Sequence, residues 1–181
     1  MQTQQFHSQR SLAAAIAVFS EGVAGSAPSE IVSDGLQLIR HQCSADQVTL
    51  SSAEQHGVTP VGTSPVRNML RDSCSTDWFP WGFNVATPER FLFVQNAETL
   101  PFAQRSSQTL GELGLRSCVY LPILDRQQLI GALQLYWSAP RTEWDDSTGQ
   151  IMRSLGRLLL ASATGEETAP QVNPSRVVHL G

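Results

Sequence analysis

Two apolar, β-prone runs stand side by side between Leu115 and Trp137: Ser117 to Leu124 and Leu129 to Trp137, separated by Asp125, Arg126, Gln127 and Gln128. This is the pattern of a β-hairpin. Successive strand side chains point to opposite faces, so Val119, Leu121 and Ile123 share one face and Cys118 and Tyr120 the other. In the second run Leu133, Leu135 and Trp137 fall together, opposed by Ala132, Gln134 and Tyr136. One face of the hairpin is therefore wholly apolar, and the other carries thiol, hydroxyl and amide groups. Two arrangements produce that asymmetry: a sheet buried on both sides, one of them against a small enclosed space, or a sheet with one solvated face.

The rest of the chain supplies elements to pack against the hairpin. Leu12, Ile16, Phe19 and Val23 recur at helical spacing among small alanines, and Gly25 ends that helix. A second helix starts around Ser26-Ala27-Pro28-Ser29 and buries Ile31, Val32, Leu36, Leu38 and Ile39. Residues Asp46 to Ser52 set Val48 and Leu50 against Gln47, Thr49 and Ser51, as a half-apolar strand does. A turn at Gln55-His56-Gly57 leads to a return strand from Val58 to Thr63, and Pro65 stands where the first turn of a helix tolerates it. Arg90 to Val94 reads as a further strand, and Ser106 to Leu113 as a short helix before the hairpin. Asp145 is placed to cap a terminal helix whose apolar stripe is Ile151, Met152, Leu155, Leu158 and Leu159.

One segment is irregular. Asp72 to Pro88 concentrates Trp78, Phe79, Trp81 and Phe83 among Pro80, Gly82 and Pro88. Aromatics in such a loop form no periodic stripe, so they cap something: a satellite core, a pocket or a partner surface.

Composition sets outer limits. At 181 residues the chain holds one domain with a well-filled core, and a sensor joined to a kinase or cyclase output domain does not fit. The net charge of −4 and the dispersed arginines give no nucleic-acid or anionic-membrane surface. Cys43, Cys74 and Cys118 are too few and too scattered for a disulfide framework or a CxxC metal site. No apolar run reaches the roughly 20 residues of a membrane span, and the first residues lack a signal-peptide core. The expectation is a cytoplasmic protein. Its organisation reads as a frayed segment at 1–9, a domain at 10–163 and a flexible tail or linker at 164–181.

Order and spacing together resemble a family. Arg116-Ser117, Leu121-Pro122-Ile123, a polar turn, Leu129-Ile130-Gly131-Ala132-Leu133, Ala139-Pro140-Arg141, Trp144 and an amphipathic last helix are similar to the C-terminal half of a GAF domain. The pattern is nearest to GAF domains of phytochrome- and cyanobacteriochrome-like bacterial sensors. It covers about residues 88–163, with compatible element order over 10–72. The resemblance implies an α+β, PAS-related fold: a central antiparallel sheet, terminal helices on its apolar face, and connecting helices and loops over a pocket on the other. It also implies a sensory role in bacterial signal transduction.

The chemistry open to such a domain narrows residue by residue. Bilin-binding relatives attach their chromophore through a Cys followed by a His, and the equivalent positions here are Arg105 and Ser106. Without a thiol there is no thioether, so no covalent cofactor is expected at that site. Some GAF domains reduce free methionine sulfoxide, but their nucleophile precedes the strand that carries Cys118, and no Cys stands there. His7, His41, His56 and His179 form no ligand pair, so no metal is expected. Neither a nucleophile elbow, a phosphate-binding glycine loop nor the cyclic-nucleotide NKFDE signature is present.

The reading is a non-enzymatic sensory module that binds an unidentified small molecule noncovalently. The candidate ligand residues are Thr49, Ser51, Cys118, Tyr120, Gln134 and Tyr136 on the polar face, lidded from among Trp78, Trp81 and Phe83. Leu12, Ile16, Phe19, Leu155, Leu158 and Leu159 are the candidate homodimer interface, with an output domain or signalling partner downstream. A ligand-free domain used for protein interaction or dimerisation is the alternative, and a thiol reductase a further one.

Overall fold

The computed structural model describes residues 14–22, 24–54, 57–65, 91–99, 110–111, 113–126 and 128–165. Their elements run α1 (residues 14–22), α2 (Pro28–Gln42), β1 (Gln47–Glu54), β2 (Gly57–Ser64), β3 (Leu92–Val94), a single 3-10 turn (Ala97–Thr99), β4 (Ser117–Asp125), β5 (Gln128–Trp137) and α3 (Asp146–Thr164). The five strands form one antiparallel sheet in the order β2-β1-β5-β4-β3. This is the α+β architecture that the sequence implies.

The hairpin is tighter than its sequence suggests. Asp125 pairs with Gln128, so the four polar residues do not all form the link. Arg126 pays for this with a φ of 46°, in the left-handed region where a side chain crowds the backbone. A register shift between Ile123 and Leu124 precedes the turn. β5 then lies at the centre of the sheet, with β1 on one side and β4 on the other.

Each helix forms for a local reason and is held by a shared core. Pro28 opens α2, where its missing N–H costs nothing, and the Glu30 carboxylate reaches back to the Ala27 N–H at 3.1 Å. Ala27 itself has no side-chain oxygen to offer. Asp145 caps α3 by accepting from the Thr148 N–H and hydroxyl, both at 2.8 Å, and Gly165 ends it at a φ of 70°. α2 and α3 cover the apolar face of the sheet. Val32, Leu36 and Ile39 from α2 and Met152, Leu155, Leu159 and Leu160 from α3 pack with Val48, Leu50, Val119, Leu121, Ile123, Leu133, Leu135 and Trp137. Burying one such aliphatic side chain stabilises by about 1.5–3 kcal/mol, so this core sets the orientation of the sheet. Ile16 and Phe19 of α1 pack against its margin.

The segment after β5 is pinned from both sides. Trp137 donates from Nε1 to the Cys43 carbonyl at 3.3 Å, the Arg141 guanidinium lies 4.7 Å from its ring centre, and Trp144 packs at 5.8 Å with its plane tilted by 59°. The arginine and tryptophan that carry the family resemblance therefore have a structural task here, closing the end of the sheet.

Candidate functional site

Antiparallel pairing sorts the opposite face of the sheet into rows. Gln47, Tyr136, Cys118 and Val94 are in register across β1, β5, β4 and β3. Thr63, Thr49, Gln134, Tyr120 and Leu92 form the next row, and Pro60, Ser51, Ala132 and Pro122 the third. All six sheet residues anticipated from alternation thus share one face. That face is not solvated: Thr49 is 1 % exposed, Ser51 0 %, Cys118 and Tyr120 3 %, Gln134 4 % and Tyr136 2 %. Of the two arrangements open to the hairpin, the sheet buried on both sides is the one adopted.

The polar atoms on this face differ in what they bond. Tyr136 donates its hydroxyl to Gln134 Oε1 at 3.0 Å, so those two groups serve each other. Along β1, by contrast, Gln47 Nε2, Thr49 Oγ1 and Ser51 Oγ are buried and have no hydrogen-bond partner among the described residues. A buried polar group left unpaired costs about 1–3 kcal/mol. Three of them at alternate positions of one strand form a strip of unused hydrogen-bonding capacity.

Gln47 joins this strip to a cleft. About 250 Å³ of space opens at that end of the sheet, lined by Asp46, Gln47, Pro65, Leu113, Gly114, Leu115 and Ser138. Asp46 closes the neighbouring strand ends, its carboxylate accepting from the Ser138 N–H at 2.6 Å and the Ser138 hydroxyl at 2.7 Å. Leu110, Leu115 and Ala97 pack beside Cys118 and Tyr136 as a small second core, leaving the Thr49 and Ser51 rows beyond it. Ser117, also buried, is satisfied through its hydroxyl bond to the Val94 carbonyl at 2.8 Å.

Gln47 is the residue that sequence reasoning passed over. Alternation already set it with Thr49 and Ser51, but a glutamine at a strand end reads as solvated. Its 4 % exposure is a consequence of tertiary packing.

The thiols of this region are poorly suited to act as nucleophiles. Cys118 and Cys43 are both free. Burial pushes the Cys118 thiol up to about 12. Burial likewise raises Cys43 to about 12, with the Arg141 charge opposing it only in part. The Tyr120 hydroxyl is also pushed upward by burial. A thiol reductase needs the thiolate near neutrality. Cys74 lies outside the described residues, as do the expected lid residues Trp78, Trp81 and Phe83.

The helix residues anticipated for a dimer interface separate. Leu155 and Leu159 are 2 % and 0 % exposed and belong to the chain's own core, so they do not form an external ridge. The helical stripe that suggested them faces the sheet, because an amphipathic helix satisfies its apolar side there first. Leu158, 48 % exposed, faces outward; Ile16 and Phe19 are half-buried, and Leu12 lies outside the described residues.

Comparison with known proteins agrees with this architecture. Residues 27–162 match the family model described as GAF domain. A search of curated proteins finds no match. Among solved structures, the phycocyanobilin-bound GAF domain of a cyanobacterial phytochrome is similar with a TM-score of 0.67 and 16 % identity, over 87 % of this chain and 98 % of that one. The GAF domain of a phosphoenolpyruvate-protein phosphotransferase from Coxiella burnetii gives 0.64 and 13 %, over 85 % of this chain and 93 % of that one. A GAF domain/HD domain protein from Geobacter sulfurreducens gives 0.61 and 14 %, over 77 % and 93 %. At these identities the likeness is one of fold. The family match spans most of the chain and includes every strand of the sheet, and on that ground the chain belongs to the GAF domain family.

Proposed function

We propose that this GAF domain is a sensory module of bacterial signal transduction that binds a small molecule noncovalently on the polar face of its sheet. The observation that carries the reading is the buried face itself, with hydroxyl and amide groups on β1 that have no hydrogen-bond partner among the described residues. A mostly apolar enclosure with a few convergent polar groups is the usual form of a small-molecule site. The similar phytochrome domain holds phycocyanobilin. Attachment of that kind is not proposed here, because Arg105 supplies no thiol. No catalytic step is proposed either, and the raised thiols weigh against reductase chemistry.

A signal would leave through the helices on the other face. β5 pairs with the pocket strand β1 and packs beneath α3, with Gly131 against both the Ser51 carbonyl and Leu160. A ligand that favours one placement of β1 would thereby favour one placement of α3, and only such differential binding transmits a signal. We propose that two copies pair through α1 and the outward side of α3, where Val18 and Leu158 are exposed. Among the described residues no helix is long and apolar enough to cross a membrane, and the protein is proposed to act in the cytoplasm.

Native mass spectrometry of freshly purified protein tests the pocket. The expected result is a mass excess that disappears on denaturation, and the same spectrum reports monomer or dimer. A bare mass, unchanged on exposure to cell-extract metabolites, favours the protein-interaction role instead.

A further inference from the structure

The three unpartnered groups on β1 restrict what the proposed pocket accepts, an inference that rests on the reading above and goes on to the chemistry of the ligand. Gln47, Thr49 and Ser51 stand two residues apart on the same side of one strand, so their side chains follow at intervals of about 7 Å. Each is more than nine-tenths buried, and each has a polar atom with no hydrogen-bond partner among the described residues. The neighbouring strand offers less, because Gln134 Oε1 already accepts from Tyr136. Recognition therefore falls to β1. Its inventory is an amide N–H pair and two hydroxyls, the latter able to donate or accept.

Charge is the second constraint. None of the residues paired in the three rows, from Pro60 and Thr63 of β2 to Leu92 and Val94 of β3, is ionisable at neutral pH. The nearby carboxylate at the cleft, Asp46, is engaged by Ser138. The described ion pairs, Arg116 with Glu98 and Arg157 with Asp125, lie elsewhere. An ion placed on this floor would lose its hydration and meet no countercharge among the described residues of the three rows, which is strongly unfavourable in a buried site. A neutral molecule that brings its own acceptors and donors gains hydrogen bonds from groups that have none among the described residues.

We propose that β1 is the recognition strip of the pocket, and that it takes an uncharged ligand presenting an amide-type edge, a carbonyl beside an N–H, as in a carboxamide, lactam or nucleobase. The carbonyl accepts from the Gln47 amide and the remaining groups engage the Thr49 and Ser51 hydroxyls. Carboxylates, phosphates and ammonium ions are excluded by the neutral floor.

Benzamide, benzoate and benzamidinium share one shape and differ in charge, so they isolate this choice. Each is titrated at matched millimolar concentration into the ¹⁵N-labelled full chain, and the Gln47 side-chain amide and the Gln47, Thr49 and Ser51 backbone amides are followed by NMR. Benzamide is expected to shift these signals, with at least tenfold weaker binding of the two ions. Thr49→Val, which keeps shape, should weaken benzamide severalfold while spectra remain dispersed, and Ser51→Ala, about 14 Å along the strand from Gln47 and beyond the reach of this small probe, should not. Gln47→Glu places a charge at the accessible end of the strip and should turn preference towards benzamidinium, a gain that misfolding cannot imitate. Equal binding of an ion at these residues overturns the inference about charge while leaving the pocket in place. Absence of any shift with all three overturns the recognition strip. If the native mass is also bare, the pocket itself falls.

Discussion

Gly131 of β5 lies so close to Ser51 of β1 that a Cβ at Gly131 would come within 3.0 Å of the Ser51 carbonyl oxygen, and within 3.0 Å of Leu160 Cδ2 as well. The carbonyl belongs to a paired strand and cannot turn aside. Gly131→Ala is accordingly expected to cost about 1–3 kcal/mol, the range of overpacking in a filled core, despite the smaller unfolded-state entropy of alanine. Urea denaturation of the purified variant measures it. A loss below about 0.5 kcal/mol would show that β1 and β5 separate more easily than their register implies.

Two helix glycines differ in the same respect. A Cβ on Gly35 of α2 would fall inside 3.0 Å of both methyl carbons of Leu159, which is itself fully buried. On Gly156 of α3 the nearest atom is the end of the Ile123 side chain at 3.2 Å. Alanine gains about 1 kcal/mol of helix propensity at either position. Gly156→Ala should therefore lie within about 1 kcal/mol of the parent, with Gly35→Ala destabilised by about 1–3 kcal/mol; thermal melts of the pair reveal the order.

Ser44 follows α2 with a φ of 48°, is exposed, and holds a conformation that glycine adopts without crowding. Ser44→Gly is expected to stabilise the protein by about 0.5–1 kcal/mol. Ser44→Val should do the reverse, and a common denaturation series distinguishes the two.

Buried thiols make stability depend on alkaline pH. Cys43 and Cys118 are raised from 9.0 to about 12, so the folded state holds these protons more tightly than the unfolded chain. Their contribution is fully present below pH 9 and is lost as pH rises towards 12. Each thiol should remove about 1.4 kcal/mol per pH unit across that window. Urea midpoints between pH 8 and pH 10, below the range in which the buried Tyr120 hydroxyl adds its own share, test the slope, which Cys118→Ala should reduce by about half.

The polar strip gives a stability prediction of its own. With no ligand present, Thr49→Val and Ser51→Ala remove an unpaired buried group and keep most of its volume. Each is expected to be neutral or stabilising by up to about 1–2 kcal/mol. Destabilisation of ligand-free protein by either variant would mean that the hydroxyl already has a partner.

Much of the candidate site could be read from alternation alone. The pleat forces residues two apart onto one face, whatever packs there, so Thr49 with Ser51, Cys118 with Tyr120 and Gln134 with Tyr136 were legible before any strand was paired. The same periodicity misled for Leu155 and Leu159. A helical stripe shows that one side of α3 is apolar, but a chain's own sheet and a second subunit demand the same residues.

What the sequence by itself determined is the local geometry: strands from alternation, helices from apolar spacing and the α3 start from Asp145. These depend on neighbours along the chain. Only the tertiary structure decided that Gln47 stands in register with Tyr136, that α2 and α3 take the apolar face, and that the polar face is also buried. Those outcomes depend on which distant segments meet. Desolvation, which turns a polar strand face into a strip of unpaired groups, is a property of that meeting and of no residue alone.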